Sequence, residues 1–266
     1  MRCDVGGQSV YAYTGSRRFD PTLPTVVFVH GAAHDHSVWA LQSRYFAHHR
    51  RNVLAVDLPG HGRSGGEPLG SVEAIAEWLA ALLDATSIED AAMVGHSLGA
   101  LAVLEMTARH PERVKRIALL GPSVPMPVAN ALLDAAKAND HLAYELITGW
   151  SFAPGHQLGG NQQPGVWMTG NALRLMERSH PGALYTDLLA CHRYAGGLAA
   201  AGKVRCPTLM ILGQRDLMAP TKNTEALIAA LTNCRVVSIA DCGHSLMTEA
   251  PDAVLDALRE FLSARS

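Results

Sequence analysis

The sequence has 266 residues, of which 48% are hydrophobic and 17% are charged, and its formal net charge is −2. This length and composition favour one large folded domain with a sizeable core and room for an insertion, and they exclude a disordered chain. Because the net charge is small and like charges do not form blocks, neither nucleic acid nor an anionic membrane is expected as a partner.

The cysteines and the N-terminus bear on the cellular compartment. The five cysteines are widely spaced and form no C-x-x-C pair, so a disulfide framework is not expected and a reducing compartment is favoured. The N-terminal stretch lacks the apolar region of a signal peptide, and no run of residues is long and apolar enough to span a bilayer. We therefore expect a cytoplasmic protein. Its expected partner is a small-molecule substrate, and the sequence is compatible with a homo-oligomer.

Short apolar runs alternate with longer helical patterns along most of the chain. Gln8–Tyr13 is predicted to be an antiparallel first strand. Runs that are apolar on both faces are typical of parallel strands covered by helices, and they occur at Thr25–Val29, Val53–Val56, Ala91–Val94, Ile117–Leu120, Thr208–Leu212 and Val236–Ile239. Helices are predicted at Ser71–Thr86, Leu98–His110, Thr221–Leu231 and Pro251–Ser263. This alternation predicts an α/β fold with right-handed crossovers.

The alternation breaks between residues 122 and 205. This segment contains no convincing strand, is rich in Ala, Leu, Met and aromatic residues, and is interrupted by Pro and Gly. Because it is too long for a loop between two strands of one sheet, we interpret it as a helical cap. The predicted organisation is thus a core of residues 1–121 and 206–266 with a cap of residues 122–205.

The motif G-x-S-x-G, which is typical of a serine nucleophile, occurs twice. A nucleophile elbow requires a strand directly before the serine and a helix directly after it. Gly95–Gly99 meets this requirement, whereas Gly62–Gly66 lies in a Gly- and Pro-rich loop. Ser97 is therefore the predicted nucleophile, and Ser64 is not; the alternative for Ser97 is a serine that only caps the helix.

Two backbone N–H groups are candidates for an oxyanion hole. Leu98 follows the nucleophile at the start of a helix, where N–H groups lack helical partners. The second donor is expected from the loop His30–Ala33, where Gly31 permits the required backbone geometry. We favour the N–H of Ala32 over that of Ala33, and His30 is interpreted first as a residue that braces the loop.

The acid and the base of a serine hydrolase of this type follow the nucleophile in the order Asp or Glu, then His. Asp216 lies in the turn that follows the predicted strand Thr208–Leu212, and His244 follows the predicted strand Val236–Ile239. Asp241 is a weaker alternative acid, because it lies only three residues before His244. Nine other histidines, with no metal-binding spacing among them, are interpreted as surface residues: His34, His36, His48, His49, His110, His141, His156, His180 and His192.

Five motifs in this order resemble the α/β-hydrolase superfamily over nearly the whole chain, the cap excepted. They are HGAA at His30–Ala33, DLPGHGRS at Asp57–Ser64, GHSLG at Gly95–Gly99, GQRDLMAP at Gly213–Pro220 and CGHSLMTEAP at Cys242–Pro251. The resemblance implies an eight-stranded, mostly parallel sheet flanked by helices, supports the triad of Ser97, Asp216 and His244, and makes Ser64 part of a structural loop.

The resemblance also narrows the chemistry. Dehalogenases and epoxide hydrolases of this fold carry Asp where this chain has Ser97, and carbon–carbon bond hydrolases often have Asn and Gly where it has His96 and Ala100. We therefore expect a carboxylesterase-like serine hydrolase that needs no cofactor or metal and cleaves a small, largely apolar ester or lactone. The alternatives are a carbon–carbon bond hydrolase, perhydrolase or lyase on the same triad, or a non-enzymatic ligand sensor.

The substrate pocket is expected between the cap and the nucleophile. Aromatic and methionine side chains are suited to an apolar pocket, although they serve equally well to pack helices together. The predicted lining residues are His30, Ala33, Trp150, Phe152, Trp167 and Met218.

Overall fold

The computed structural model describes residues 1–160 and 165–264, and its centre is an eight-stranded sheet. The strands are β1 Arg2–Val5, β2 Gln8–Tyr13, β3 Thr25–Val29, β4 Asn52–Val56, β5 Ala91–His96, β6 Val114–Leu120, β7 Thr208–Gly213 and β8 Cys234–Ile239. Their spatial order is β1-β2-β4-β3-β5-β6-β7-β8. Only β1 and β2 pair antiparallel with their neighbours, whereas β4, β3, β5, β6, β7 and β8 run parallel. The predicted α/β fold and its strand sequence are confirmed.

The central strands are apolar throughout because helices cover both of their faces. Alternate side chains enter separate clusters, as the two-residue period of a strand requires. In β3, for example, Val27 and Val29 pack on one face, and Val26 and Phe28 pack on the other. The edge strand β8 is only half-buried, which explains why its apolar pattern is weaker and its predicted start was two residues late.

Twelve helices are present in the described residues. They are α1 Ala40–His48, α2 Val72–Ala85, α3 Leu98–Arg109, α4 Asn130–Lys137, α5 Leu142–Ser151, α6 Pro154–Gln157, α7 Met168–Met176, α8 Ala183–Arg193, α9 Gly197–Ala201, α10 Glu225–Ala230, α11 Leu246–Glu249 and α12 Pro251–Ser263. Within the described ranges, no helix is long and apolar enough to cross a membrane. Ser71 caps the N-terminus of α2 by accepting a hydrogen bond from the N–H of Ala74 (3.1 Å), so the helix begins where the sequence predicted its start.

Helices α4–α8 lie between β6 and β7 and form a separate layer, which we call the cap. Its apolar side chains form their own cluster, which includes Leu132, Ile147, Met176 and Leu188. Helix α9 differs, because Ala200 and Ala201 pack in the core cluster with α3. The predicted cap segment, residues 122–205, therefore contains a C-terminal part that packs on the core, and its residues 161–164 lie outside the described ranges.

Candidate active site

The first element of the site is a sharp turn between β5 and α3. Ser97 lies at this turn with φ +53° and ψ −117°, a backbone conformation that L-residues rarely adopt and that a nucleophile elbow requires. Its N–H donates to the carbonyl of Leu120 (2.9 Å) on the neighbouring strand β6. The turn is tight, because a Cβ at Gly95 would lie 2.3 Å from the carbonyl oxygen of Gly99.

Gly99 allows α3 to approach the end of β3. A Cβ at this position would lie 2.5 Å from the carbonyl oxygens of both Val29 and His30. We expect Gly99→Ala to lower the free energy of unfolding by about 3 kcal/mol, because backbone atoms cannot yield to relieve the overlap. Gly149→Ala is the matched control: Gly149 lies in α5 with open space around its Cα, and Ala should stabilise the helix by about 0.5–1 kcal/mol. Urea unfolding measures both; equal effects would contradict the steric interpretation.

The second element is a buried pair of side chains at the ends of β7 and β8. His244 Nδ1 lies 2.7 Å from Asp216 Oδ2, and the two side chains are 4% and 1% exposed. The other carboxylate oxygen of Asp216 accepts hydrogen bonds from the N–H groups of Met218 (2.9 Å) and Ala219 (2.7 Å). Burial alone would raise the pKa of Asp216, but His244 and the two backbone donors outweigh it and hold the pKa below its ordinary value.

These contacts fix the tautomer of His244. Because Nδ1 donates to the carboxylate, Nε2 of the neutral ring carries the lone pair. Nε2 is buried and has no hydrogen-bond partner within the described residues. His244 and Ser97 line the same cavity, so a proton acceptor and a hydroxyl are brought to one site.

The loop that carries His244 is held by two further residues. The ring of His96 donates through Nε2 to the carbonyl of His244 (2.9 Å), and its centre lies 4.8 Å from that of His244. The N–H of His244 donates to the carbonyl of Ser151 (2.7 Å) in the cap. The sequence singled out His96 only as a difference from relatives, whereas the structure gives it a bracing contact.

The turn after β3 lies against Ser97. A Cβ at Gly31 would be 3.2 Å from Cβ of Ser97, so glycine allows the close approach. The turn places Ala33 at φ +52°, and the N–H of Ala33 donates to Asp187 Oδ2 (2.9 Å). That N–H is therefore already used, whereas Ala32 lines the cavity; the N–H groups of Ala32 and of Leu98, the first residue of α3, remain the predicted oxyanion donors.

The cavity beside Ser97 has a volume of about 160 Å³. Its wall is mostly apolar and is contributed largely by the cap. The lining residues include Met126, Val128, Leu132, Ile147, Trp150, Leu188, Leu217 and Met218. Trp150 and Met218 therefore lie where the sequence placed them.

The other four predicted lining residues lie elsewhere. His30 is fully buried below the turn, where its Nδ1 donates to the carbonyl of Gly31 (2.8 Å) and its Nε2 accepts from the N–H of Leu58 (3.1 Å). Ala33 faces Asp187. Phe152 lines a neighbouring groove, and Trp167 is 66% exposed. The sequence shows that these side chains are apolar or ring-shaped, but their directions are set by the turn after β3 and by the packing of the cap.

Several histidines interpreted as surface residues are enclosed instead. His34 lines the cavity, and burial lowers its pKa to about 4. His36 Nδ1 lies 2.7 Å from Asp57 Oδ1, and His156 Nδ1 lies 2.7 Å from Glu249 Oε2. His36 and His156 thus pair with carboxylates that are distant in sequence, which the spacing of histidines could not reveal.

One group could in principle bind a metal ion. Ligand atoms of Asp35, His36 and Asp57 lie within 4.8 Å of one another. However, Asp57 accepts from the N–H groups of His36 (2.7 Å) and Arg63 (2.8 Å), and Asp35 accepts from the N–H of Ser37 (2.8 Å). These hydrogen bonds give the cluster a structural use in shaping the loops.

The chain is similar to known proteins over most of its length. It matches the model of the alpha/beta hydrolase fold over residues 24–251. A pimeloyl-[acyl-carrier protein] methyl ester esterase of Aromatoleum aromaticum is 31% identical, over 86% of this chain and 94% of the relative. One of the same name from Chromobacterium violaceum is 30% identical, over 91% of this chain and 96% of the relative. The crystal structure of the enol-lactonase from Burkholderia xenovorans LB400 superposes with a TM-score of 0.88 at 21% identity, covering 99% of this chain and all of the other.

Proposed function

The chain belongs to the alpha/beta hydrolase fold family and is a hydrolase, and we propose that it cleaves a small, largely apolar carboxylic ester or lactone through Ser97, His244 and Asp216. One observation carries the proposal: His244, whose buried Nε2 has no hydrogen-bond partner in the described part of the chain, and the strained Ser97 line one cavity. A lone pair held in this way is suited to accept the proton of an attacking hydroxyl.

The proposed reaction has two halves. Oγ of Ser97 attacks the carbonyl carbon of the substrate while its proton passes to Nε2 of His244, and the N–H groups of Ala32 and Leu98 bind the oxyanion. The carbon–oxygen bond to the alcohol then breaks, and His244 returns the proton to the leaving oxygen. A water molecule then attacks the acyl carbon while its proton passes to Nε2 of His244. The bond between that carbon and Oγ of Ser97 breaks, and His244 returns the proton to Oγ, which releases the acid and restores Ser97. Asp216 stabilises the imidazolium throughout.

The size and chemistry of the cavity favour a small apolar group. A volume of about 160 Å³ is similar to that of an engineered apolar cavity, about 150 Å³, that binds benzene. The cavity therefore suits an acyl or alcohol part of about six carbon atoms. The two methyl ester esterases that are about 30% identical to this chain support ester hydrolysis as the reaction.

Fluorophosphonate labelling tests the nucleophile, and ester turnover tests the reaction. The probe should label the purified protein stoichiometrically, with the label mapped to the peptide that contains Ser97. Repeated turnover of p-nitrophenyl butyrate or hexanoate should follow, and labelled protein should be inactive. A label on another residue would contradict the assignment, and a single turnover without release would favour a ligand sensor.

Chain-length preference tests the cavity. We expect kcat/KM for p-nitrophenyl esters to be highest at four to six acyl carbons and to fall at least about tenfold by ten, because a longer chain overfills the space. Leu132→Ala removes part of the wall and should shift the preference towards longer chains. Leu133→Ala is the matched control, since Leu133 packs within the cap cluster outside the lining. Identical profiles for both variants would place substrate binding elsewhere.

A further inference from the structure

We propose that two buried carboxylates, Asp187 and Glu249, are positioning residues that tie the seating of the cap to the geometry of the catalytic loops. The inference rests on the proposed function, because it assigns Ala32 and His244 to catalysis. Each carboxylate bridges the cap and the core, each pairs with a histidine across that boundary, and each also accepts from a backbone N–H next to a proposed catalytic group.

Asp187 reaches from cap helix α8 to the turn after β3, which carries the proposed oxyanion donor Ala32. Its Oδ2 accepts from the N–H of Ala33 (2.9 Å) and lies 2.9 Å from Nε2 of His61 in the core. The side chains of both Asp187 and His61 are 1% exposed. Because Ala33 follows Ala32 directly, the carboxylate orients the peptide next to the proposed oxyanion donor and selects the left-handed conformation of Ala33 (φ +52°).

His61 is placed to carry a positive charge. Its Nδ1 lies 2.9 Å from the carbonyl of Pro59, and its Nε2 faces Asp187, so both ring nitrogens meet acceptors and both act as donors. Burial lowers the pKa of His61, but Asp187, with Asp57 and Pro59, outweighs burial and raises it above the ordinary value. The neighbouring His30 and His34, whose pKa values are lowered, face the same region as neutral rings. The pair is thus a buried imidazolium and carboxylate that joins cap and core.

Glu249 makes the corresponding link beside His244. It lies in core helix α11, and its Oε2 accepts from the cap N–H of Ala153 (2.8 Å) and faces Nδ1 of His156 (2.7 Å). Its Oε1 accepts from the N–H of Gly243 (3.0 Å), the residue before His244. A Cβ at Gly243 would lie 2.6 Å from the carbonyl oxygen of Ser151, so the loop that carries His244 is in close contact with the cap at this point.

The two links have a common consequence. One carboxylate orients the turn that supplies an oxyanion donor, and the other orients the loop that supplies the base. If the cap lifts, the N–H of Ala33 loses its charged acceptor, and Glu249 loses the two cap groups that hold its carboxylate beside Gly243. A shift of about 1 Å in catalytic geometry costs roughly 10²-fold in rate. The cap is therefore coupled to catalysis as well as to substrate binding.

The test compares Asp187→Asn and Glu249→Gln with Glu105→Gln. Glu105 is also a buried carboxylate, and it accepts from Tyr194 (2.6 Å) and Arg109 (2.6 Å) far from both loops. We expect kcat on p-nitrophenyl butyrate to fall about 10–100-fold in the first two variants with KM within threefold, because an orienting interaction is lost and the pocket remains. The control should keep kcat within twofold.

The pH profile separates a positioning role from a structural one. A pair that requires protonated His61 is lost as the pH rises through the raised pKa of that group. The kcat of the wild-type protein should therefore decline at alkaline pH, and this decline should be absent in Asp187→Asn, in which the pairing is already lost.

Hydrogen exchange measured by mass spectrometry distinguishes failure of this inference from failure of the proposed function. Asp187→Asn should speed exchange in the peptide that spans residues 31–35, and Glu249→Gln in the peptide that spans 242–246, whether or not esters are hydrolysed. Wild-type kcat in both folded variants, or equal loss in Glu105→Gln, would overturn the coupling. If the variants do not fold, His61→Gln and His156→Gln replace the histidine partners of the two carboxylates. The same loss of kcat is expected in both, and wild-type kcat in both would overturn the coupling.

Discussion

Replacing Ser97 with alanine is expected to lower kcat for ester hydrolysis by at least about 10⁴-fold, the loss seen when a hydrolase nucleophile is removed. The alternative role for this serine, capping α3, finds no support in the geometry, because its side chain makes no capping hydrogen bond. Removing the hydroxyl should therefore leave the melting temperature nearly unchanged. Steady-state hydrolysis of p-nitrophenyl butyrate and thermal unfolding measure the two effects.

Ser64→Ala is the matched control, since Ser64 lies in the other G-x-S-x-G sequence. Its hydroxyl donates to the carbonyl of Asp57 (2.7 Å) and accepts from the N–H of Tyr11 (2.9 Å), so it joins β2 to the loop after β4. Its loss should lower the free energy of unfolding by about 1–3 kcal/mol, because buried partners are left unsatisfied, while kcat of the folded protein stays within twofold. If Ser97→Ala retained activity and Ser64→Ala lost it, the nucleophile would be misassigned.

The sheet could be predicted from the sequence because its central strands are buried on both faces. Continuous apolar runs such as Thr25–Val29 and Thr208–Leu212 have few other uses in a chain of this composition. Strand β1, Arg2–Val5, left no such signal, since it is an edge strand with exposed side chains. It entered the expected strand count only through the resemblance to a family.

The candidate site was also predictable where it depends on local geometry. A serine between a strand and a helix, and polar residues at the carboxyl ends of β7 and β8, meet at one edge of a parallel sheet because of the topology. The cap contacts were not predictable. Asp187 and His61 are 126 residues apart, and neither lies in a pattern that signals a buried charge. Such pairs are set by how the cap packs on the core.

The same limit explains the errors in the pocket. Helical segments of the cap expose apolar side chains in several directions, and only their packing decides which side faces Ser97. Trp150 and Met218 line the cavity, whereas Trp167 lies against Gly170, where a Cβ would come within 2.2 Å of its ring. Hydrophobicity was therefore a sound guide to the kind of pocket and a poor guide to its members.

The proposed acid, Asp216, gives the second of the two largest expected effects. Asp216→Asn should lower kcat by about 10⁴-fold, as in serine proteases with this change. The carbonyl oxygen of asparagine can keep the N–H groups of Met218 and Ala219 as donors, which turns the amide NH₂ towards His244. Nδ1 must then accept, so the proton of the neutral ring moves to Nε2, and His244 can no longer take the proton of Ser97.

Asp241→Asn is the control for this prediction, because Asp241 is the rival acid in the same stretch of chain. Its side chain is 85% exposed and lies 3.5 Å from Arg215, and its backbone has φ +53°, a conformation that asparagine tolerates well. Its kcat should stay within twofold of wild type, measured in parallel with Asp216→Asn over a range of pH. Comparable losses in the two variants would mean that charge near the site, rather than the tautomer of His244, controls the reaction. Loss confined to Asp216→Asn would identify the buried carboxylate as the group that makes Nε2 a base.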